Sequence, residues 1–364
     1  MKSEPSLFDN ITLKDIPSVL PLLSLQDQER LLAELIHLEE LKAKTAAQTH
    51  FMSFVKAVWP SFINGRHHSR MASAFERVAR GECKRLIINM PPRHTKSEFA
   101  SYLLPAWYLG KFPGKKVIQA SHTAELAVGF GRKVRNLVDM EVYHDIFPDL
   151  KLAADSKAAG RWNTSKGGDY FAIGVGGAVT GKGADLLIID DPHSEQEAAM
   201  AESNPDIYDK VYEWYTSGPR QRLQPGGSIV IVMTRWSLRD LTAQILKSSL
   251  QREGDEWEVI EFPALLPSGN TLWPEFWPTE ELMALKRELP NSKWMAQYQQ
   301  NPTSDTSAIV KREWWQIWDK DEPPECDFIL QAWDTAFEKT QRADYSALTV
   351  WGVFYHTDNT GVLQ

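Results

Sequence analysis

Two stretches of the sequence contain a lysine in a setting suited to binding phosphate. Residues 90–97 read Met-Pro-Pro-Arg-His-Thr-Lys-Ser, between a short apolar run and a helical pattern. Residues 176–183 read Gly-Gly-Ala-Val-Thr-Gly-Lys-Gly. Nucleotide phosphates are bound where a strand leads through a loop of backbone amides to a lysine, a Ser or Thr that binds Mg²⁺, and a helix. Both stretches are therefore candidates for a phosphate-binding loop.

The context of the two lysines distinguishes the candidates. The first lacks both glycines of the usual pattern, because Met90 and Thr95 occupy their positions, but its Lys-Ser pair opens a helix. The second has the glycine spacing, yet Gly183 stands where the hydroxyl belongs and a strand follows. We predict the nucleotide loop at the first stretch, with a proline-rich turn as the alternative, and a glycine turn at the second. The residues predicted to bind the nucleotide are Arg93, His94, Thr95, Lys96 and Ser97.

A pair of adjacent acids follows a run of four apolar residues. Residues 186–189 are Leu-Leu-Ile-Ile, and Asp190 and Asp191 come next. This pattern predicts a buried strand that delivers two carboxylates to the carboxyl edge of a sheet, where ligands bind in parallel α/β folds. Asp190 would hold Mg²⁺, directly or through water, and Asp191 would orient or deprotonate an attacking water. A solvated acidic turn is the alternative.

Two further polar positions are candidates for the same chemistry. Thr234 and Arg235 end an apolar run that begins at residue 228. Thr234 would sense the terminal phosphate and Arg235 would link it to movement, or the pair would cap the following helix. Arg93, inside the predicted loop, would stabilise charge in the transition state from within the same chain. A surface salt bridge is the alternative for Arg93.

The elements that position these residues alternate between strand and helix from about residue 66. Short apolar strands interleaved with helices predict an α/β domain with a mainly parallel sheet. The predicted strands are 85–90, 116–121, 169–175, 185–190 and 228–234, and the predicted helices begin near 96 or span 124–139 and 238–250. Residues 24–48 predict an amphipathic helix with Ser24 as its N-cap. Residues 263–278 are irregular, and two short helices follow near 279–289 and 291–300.

Composition sets wider limits on the protein. The chain has 364 residues, of which 43% are hydrophobic and 24% charged, which suits two globular domains. A formal charge of −8 argues against a protein that coats nucleic acid, though not against a motor that grips DNA transiently. The two cysteines, Cys83 and Cys326, indicate neither a disulfide framework nor a zinc site. With no signal peptide and no membrane-spanning run, the host cytoplasm is the expected location.

Taken together, the motifs resemble the large terminase subunit of tailed bacteriophages. The stretches that carry the resemblance are residues 86–97, 174–192, 234–236 with 240–241, 272–275 and 298–302. The resemblance implies a P-loop packaging ATPase followed by a metal-dependent endonuclease of RNase H-like fold. It also implies ATP and Mg²⁺ as cofactors, and double-stranded DNA, a portal protein and a small terminase subunit as partners. On the portal, the family resemblance implies a homo-oligomeric ring; no membrane is involved.

The same resemblance suggests three regions. An N-terminal helical extension would cover residues 1–60, the P-loop ATPase domain 61–305, and a linker with the start of the nuclease 306–364. Asp334 matches the first metal-binding acid of the nuclease, and Asp344 is a possible accessory ligand for Mg²⁺ or Mn²⁺. Because the other acids would lie beyond Gln364, the chain is read as a truncation and is expected not to cut DNA by itself.

The sequence departs from the family pattern within the site itself. Thr95 replaces the glycine usually found before the lysine, and a β-branched residue resists positive φ, so the loop must use another geometry or carry strain. Asp191 stands where many members have glutamate. Two other functions therefore stay open: a helicase-like P-loop translocase, and an inactive prophage remnant that serves as an interaction module.

Overall fold

The computed structural model describes residues 16–201, 203–251, 254–303, 326–334 and 347–354. The chain divides into two compact units, Met1–Asp305 and Thr306–Gln364. No helix in the described ranges combines the length and the apolar character that crossing a bilayer requires.

An eight-stranded sheet forms the centre of the first unit within the described residues. Its strands are β1 Arg85–Asn89, β2 Lys116–Ser121, β3 Leu152–Ala158, β4 Arg161–Thr164, β5 Asp169–Gly174, β6 Ala184–Asp190, β7 Leu223–Met233 and β8 Glu258–Glu261. They lie in the order β3-β4-β5-β2-β6-β7-β1-β8. The pairs from β5 to β8 are parallel, whereas β4 is antiparallel to both of its neighbours. The predicted α/β fold with a mainly parallel sheet is confirmed.

Helices accompany the sheet within the described residues of the first unit. They are α1 Ile16–Val19, α2 Leu25–Thr49, α3 Phe51–Val58, α4 Arg66–Arg80, α5 Leu104–Lys111, α6 Ala124–Val138, α7 Glu141–Ile146, α8 Glu195–Ala201, α9 Asp206–Ser217, α10 Leu241–Gln251, α11 Thr279–Glu288 and α12 Asn291–Lys293. Short 3-10 turns cover Leu20–Leu22 and Pro219–Arg222, and π-helical segments cover Glu98–Leu103 and Trp294–Tyr298. As predicted, the Ser24 side chain caps α2 by accepting a hydrogen bond from the Asp27 amide.

Apolar side chains cover both faces of the sheet, and β1 shows how one strand serves two cores. Leu86 and Ile88 pack into the core that contains Phe75 and Phe99, whereas Ile87 packs into the opposite core with Leu241. Successive side chains of a strand point to opposite faces, so a strand buried on both faces must be apolar throughout. This explains why the central strands are continuous hydrophobic runs rather than alternating patterns.

Strand β7 lies between the strand that precedes the predicted loop and the strand that ends in the acidic pair. Its Met233 is in register with Asn89 at the end of β1, and its Val232 is in register with Asp190 at the end of β6. Because these strands are parallel, their carboxyl ends meet at one edge of the sheet. The fold therefore gathers the predicted site residues from three different strands.

The second unit contains one hairpin within its described residues. Strands β9 Phe328–Asp334 and β10 Ala347–Val353 pair antiparallel, with Asp334 opposite Ala347. Asp344, the possible accessory ligand, lies outside the described residues.

Candidate nucleotide-binding site

The loop after β1 adopts a glycine-like backbone without containing a glycine. Arg93 has φ 61° and Thr95 has φ 67°, both in the left-handed region. A non-glycine residue held there costs on the order of 1–3 kcal/mol and persists only where its surroundings enforce it. Of the two outcomes expected for Thr95, another geometry or strain, the structure has the strained one.

Lys96 lies at the start of the helix that follows the loop and reaches the acidic pair. Its Nζ is 2.9 Å from Oδ2 of Asp191, and only 7% of the lysine side chain is exposed. Oδ1 of the same carboxylate accepts a hydrogen bond from the backbone amide of Thr234 at 2.8 Å. Asp191 itself has φ 41°, so its position is also enforced by its surroundings. The Asp191 carboxylate is thus held between the loop lysine and the end of β7.

Asp190 is buried behind the loop and is bound by two serines. Ser97 Oγ donates to Oδ1 at 2.9 Å, and Ser101 Oγ donates to Oδ2 at 2.8 Å. The two serines are four residues apart, in the helical segment that becomes π-helical at Glu98. Burial, reinforced by the neighbouring Asp191 charge, raises the pKa of Asp190 well above its usual range.

Thr234 joins the loop to the acidic pair. The backbone amide of Thr234 donates a hydrogen bond to Asp191. The side-chain Oγ1 of Thr234 donates a second hydrogen bond to the carbonyl of Met90 at 3.2 Å. The cap of the following helix is supplied instead by Asp240, whose Oδ1 accepts from the Ala243 amide at 3.1 Å. The structure thus favours a site role for Thr234 over the capping alternative.

Arg235 is part of a buried network. Its Nε donates to Oδ2 of Asp240 at 2.9 Å, and its amide donates to Oε1 of Gln300 at 3.2 Å. Gln300 is itself left-handed, with φ 57°. Residues 234–235 are therefore linked directly to the segment that ends the first unit.

The two other loop residues, Arg93 and His94, point in opposite directions. The Arg93 side chain is exposed, and within the part of the chain that the structure describes its guanidinium has no ion pair. The His94 ring is fully buried, its Nδ1 donates to the Pro92 carbonyl at 2.8 Å, and burial lowers its pKa to about 4. His94 therefore supports the loop from within, while Arg93 is free to reach a ligand.

A histidine outside the predicted set also supports the loop. His68, on α4, places its Nε2 2.7 Å from Oγ1 of Thr95. Sequence reasoning missed both α4 and this residue, although Met71, Phe75 and Val78 do follow helical spacing. The hydrogen bond joins residues 27 positions apart, so no local pattern could have indicated it.

Lys182, the lysine of the second stretch, lies at the opposite edge of the sheet from the acidic pair. Lys182 Nζ is paired with Asp169 Oδ2 at 2.7 Å, and Asp169 is the first residue of β5, not the last. Gly176 and Gly181 take φ 79° and 76°, as a glycine turn requires. The length of a strand of this size, roughly 17–20 Å, separates Lys182 from the acidic pair.

The donors at the site suit Mg²⁺ together with a nucleotide. Ser97 and Asp190 provide hard oxygen atoms side by side, which is the ligand type that Mg²⁺ prefers. No group of three His, Cys, Asp or Glu side chains in the described ranges is arranged to hold a metal alone. A bound Mg²⁺ would therefore share its ligands with phosphate oxygens and water, as this ion commonly does.

No protein-family model and no curated protein sequence matches the chain. Among solved structures, the HK97 bacteriophage large terminase is similar at 12% identity and a TM-score of 0.48, over 87% of this chain and 66% of that one. The Thermus phage P74-26 large terminase ATPase domain is similar at 16% identity and a TM-score of 0.40, over 63% of this chain and 93% of that one. The large terminase of a thermophilic bacteriophage, solved with ADP, is similar at 10% identity and a TM-score of 0.39, over 77% of this chain and 65% of that one. The chain thus spans just under two thirds of the two longer proteins.

Proposed function

We propose that this chain is the ATPase part of a phage large terminase, a motor that uses ATP hydrolysis to move viral double-stranded DNA into a procapsid. The observation that carries the proposal is the meeting of two motifs at one sheet edge. Lys96 Nζ lies 2.9 Å from Asp191, and Ser97 Oγ lies 2.9 Å from Asp190. A lysine, a hydroxyl and two carboxylates in contact are the groups that phosphoryl transfer to water needs.

In this proposal the phosphates and Asp191 compete for the same lysine. Lys96 would turn from Asp191 towards the terminal phosphates, which carry more negative charge than one carboxylate. Asp191 would keep the hydrogen bond from the Thr234 amide to its Oδ1 and so remain in place. Its Oδ2 would be released to orient a water and accept its proton. Binding of ATP would thereby free Asp191 to activate the water that attacks the terminal phosphate.

Asp190 and Ser97 would hold Mg²⁺. The ion would neutralise charge on the phosphate oxygens. To serve as a ligand Asp190 must give up its proton, and the Ser97 and Ser101 hydroxyls help to hold the resulting carboxylate. The exposed guanidinium of Arg93 would lie over the transferred phosphoryl group and stabilise its developing charge.

The link from chemistry to DNA movement would run through Thr234 and Arg235. Thr234 contacts both the loop and Asp191, and the Arg235 amide contacts Gln300. A change at the terminal phosphate would therefore reach the segment that precedes the second unit. The DNA, the portal protein, the small terminase subunit, a ring of subunits and a place in the host cytoplasm belong to this proposal through the family resemblance.

The first test compares ATP hydrolysis by the chain with that of two lysine variants. With Mg²⁺, we expect turnover to be lost in Lys96→Ala and kept in Lys182→Ala, because Lys182 lies at the far edge of the sheet. Loss in Lys182→Ala alone would move the nucleotide to the glycine turn and contradict the assigned site. ATP binding without turnover, even with portal and DNA, would favour the inactive remnant.

A second test separates a packaging motor from a general DNA translocase. Hydrolysis that rises when procapsids bearing the portal are added, with DNA becoming protected from nuclease, supports packaging. Stimulation by DNA alone, with no effect of procapsids, would support the helicase-like alternative.

The nuclease role of Asp334 and Asp344 stays a proposal that rests on the resemblance. Asp334 ends β9, opposite Ala347 in the hairpin. Plasmid incubated with the chain and Mn²⁺ tests it, with Asp334→Ala as the matched variant. Cleavage that disappears in Asp334→Ala would overturn the expectation that the chain does not cut DNA by itself, and would assign this acid to an active nuclease centre.

A further inference from the structure

We propose that His68 is the positioning residue that allows threonine, instead of glycine, to occupy the left-handed position of the phosphate loop. The inference rests on the proposed nucleotide site and names a residue that keeps that site in shape. His68 lies on α4, outside the loop and outside the acidic pair, and its side chain is fully buried. It cannot touch the nucleotide, so its action on binding must pass through Thr95.

The hydrogen bonds around His68 run in one direction. The amide of Gly65 donates to Nδ1 of His68 at 2.8 Å, so this nitrogen carries no proton in the neutral ring. Nε2 therefore carries the proton and donates to Oγ1 of Thr95 at 2.7 Å. Oγ1 then uses its own proton to bind the His94 carbonyl at 2.6 Å. The start of α4 thus fixes the tautomer that binds the loop.

Ring contacts hold His68 in the orientation that this chain of bonds needs. The ring lies edge-on to Phe62 at 4.7 Å and to Trp273 at 4.9 Å between centroids. Phe99, on the helical segment after the loop, lies 4.9 Å away on another side. Burial lowers the pKa of His68 to about 2, which keeps the ring neutral. His68 is therefore a rigid donor aimed at one hydroxyl.

The Thr95 side chain is suited to this partner. A threonine at φ 67° is strained by its branched Cβ, but the same Cβ carries the hydroxyl that His68 and the His94 carbonyl bind. The two bonds offset the backbone strain only if both partners are present. A glycine would need neither bond, because it adopts this conformation without steric cost. His68 and Thr95 thus form a pair that replaces one glycine.

The consequence for the site is geometric. The backbone amides of the loop can point together at phosphate oxygens only while the residue before Lys96 stays left-handed. Without the His68 bond, Thr95 would relax towards negative φ and turn the amides apart. Loss of His68 should therefore weaken nucleotide binding far more than it disturbs the fold.

A double-mutant cycle with a rescue tests this pair. We would measure the affinity for a fluorescent ATP analogue with Mg²⁺ in the wild type, His68→Phe, Thr95→Gly and the double variant. Phenylalanine keeps the ring and removes the donor. We expect His68→Phe to weaken binding by about tenfold or more in the wild-type background, and by less than about threefold beside Thr95→Gly. Tyr143→Phe, which likewise keeps a fully buried ring and removes one hydrogen-bond donor, here to the Ala106 carbonyl outside the loop, is the matched control.

The outcomes separate the inference from the proposed function. An equal loss from His68→Phe in both backgrounds means that His68 acts on the fold alone and overturns the inference. Should Thr95→Gly itself bind poorly, Thr95→Val replaces it, since this variant keeps the branch and removes the hydroxyl. Additive losses in His68→Phe/Thr95→Val would again overturn the pair. A wild type that unfolds cooperatively yet binds no nucleotide would contradict the proposed function instead.

Discussion

Backbone strain is concentrated at the candidate site. The non-glycine residues with positive φ in the described ranges are Arg93, Thr95, Asp191 and Gln300. Three belong to the loop or the acidic pair, and Gln300 binds the residue after Thr234. Such conformations cost free energy and survive where function and the surrounding structure require them. The strained residues therefore mark the same place as the side-chain chemistry.

Asp191→Asn tests the assigned water-orienting residue. The amide side chain keeps an oxygen for the Thr234 amide, but it cannot accept a proton from water. We expect kcat to fall by about 10²- to 10⁴-fold, the usual contribution of a general base, while the ATP analogue still binds. Steady-state hydrolysis and fluorescence titration measure the two effects separately. A kcat within a few-fold of the wild type would assign the water to another residue.

The residue types predicted which side chains meet at the site, but they did not predict the residues that support the loop. Lys96, Ser97, Asp190 and Asp191 follow apolar runs that are long enough to read as strands, so their meeting at one edge was predictable. His68 was not, because its hydrogen bond to Thr95 depends on how α4 packs against the loop. His94 was predicted as a binding residue, although its ring turns inward.

At the scale of elements, long and fully buried strands could be predicted from the sequence, and short or partly exposed strands could not. Strands β2 and β6 and helix α6 agree with their predicted ranges to within a residue or two, because each is a clear apolar or periodic run. Strand β8 has only four residues, Glu-Val-Ile-Glu, and carries no such signal. Strand β7 begins at Leu223, before a Pro-Gly-Gly sequence that reads as a turn, so its first half was missed.

The start of α4 depends on a glycine for packing. A Cβ added at Gly65 would lie 2.7 Å from Cδ1 of Trp273 and 2.8 Å from Cε1 of His67. We expect Gly65→Ala to lower the free energy of unfolding by about 1–3 kcal/mol, as overpacking does. Gly129→Ala is the control: Gly129 lies inside α6 with open space around it, and alanine should stabilise the helix by about 0.5–1 kcal/mol. Urea unfolding of both variants compares them; equal and small effects would contradict the predicted crowding at Gly65.

The irregular segment before α11 offers a reporter of the loop. The ring of Trp277 stacks on His94 with centroids 5.9 Å apart, and its Nε1 donates to the Arg93 carbonyl. Movement of the loop around phosphates should change the emission of this indole. We expect a change in tryptophan fluorescence when ATP and Mg²⁺ are added, and its loss in Trp277→Phe. A full signal in Trp277→Phe would place the reporter elsewhere among the tryptophans.

At the scale of the whole molecule, buried histidines make stability depend on acidity. Burial lowers the pKa of His67 to about 3, of His68 to about 2 and of His94 to about 4. Below about pH 6.5 these histidines are protonated in the unfolded chain but stay neutral in the folded chain. The free energy of unfolding therefore falls as the pH falls towards 4. Asp190 acts in the opposite direction, since its raised pKa keeps a proton on the folded chain at pH values where the unfolded chain has already lost it.

The net expectation is a loss of stability between pH 6.5 and 4. Each histidine contributes up to about 1.4 kcal/mol per pH unit in this range, and Asp190 offsets part of this loss. Urea unfolding at pH 7 and pH 5 measures the loss. His67→Phe removes one titrating group, so the free energy of unfolding should change less steeply with pH, by the equivalent of about one proton. An unchanged slope would mean that His67 is already charged or exposed in the folded chain.

The central place of β7 also constrains the order in which the chain can be made. Among the described strands, β1 pairs only with β7 and β8, which follow it by more than a hundred residues. While the chain emerges from the ribosome, the apolar strand β1 and its loop exist before any partner strand does. Unpaired apolar edges of this kind invite aggregation, and contacts so distant in sequence form slowly. Synthesis of this protein should therefore depend on chaperones until Met233 has emerged, and a ribosome that stalls earlier would release a chain unable to assemble the site.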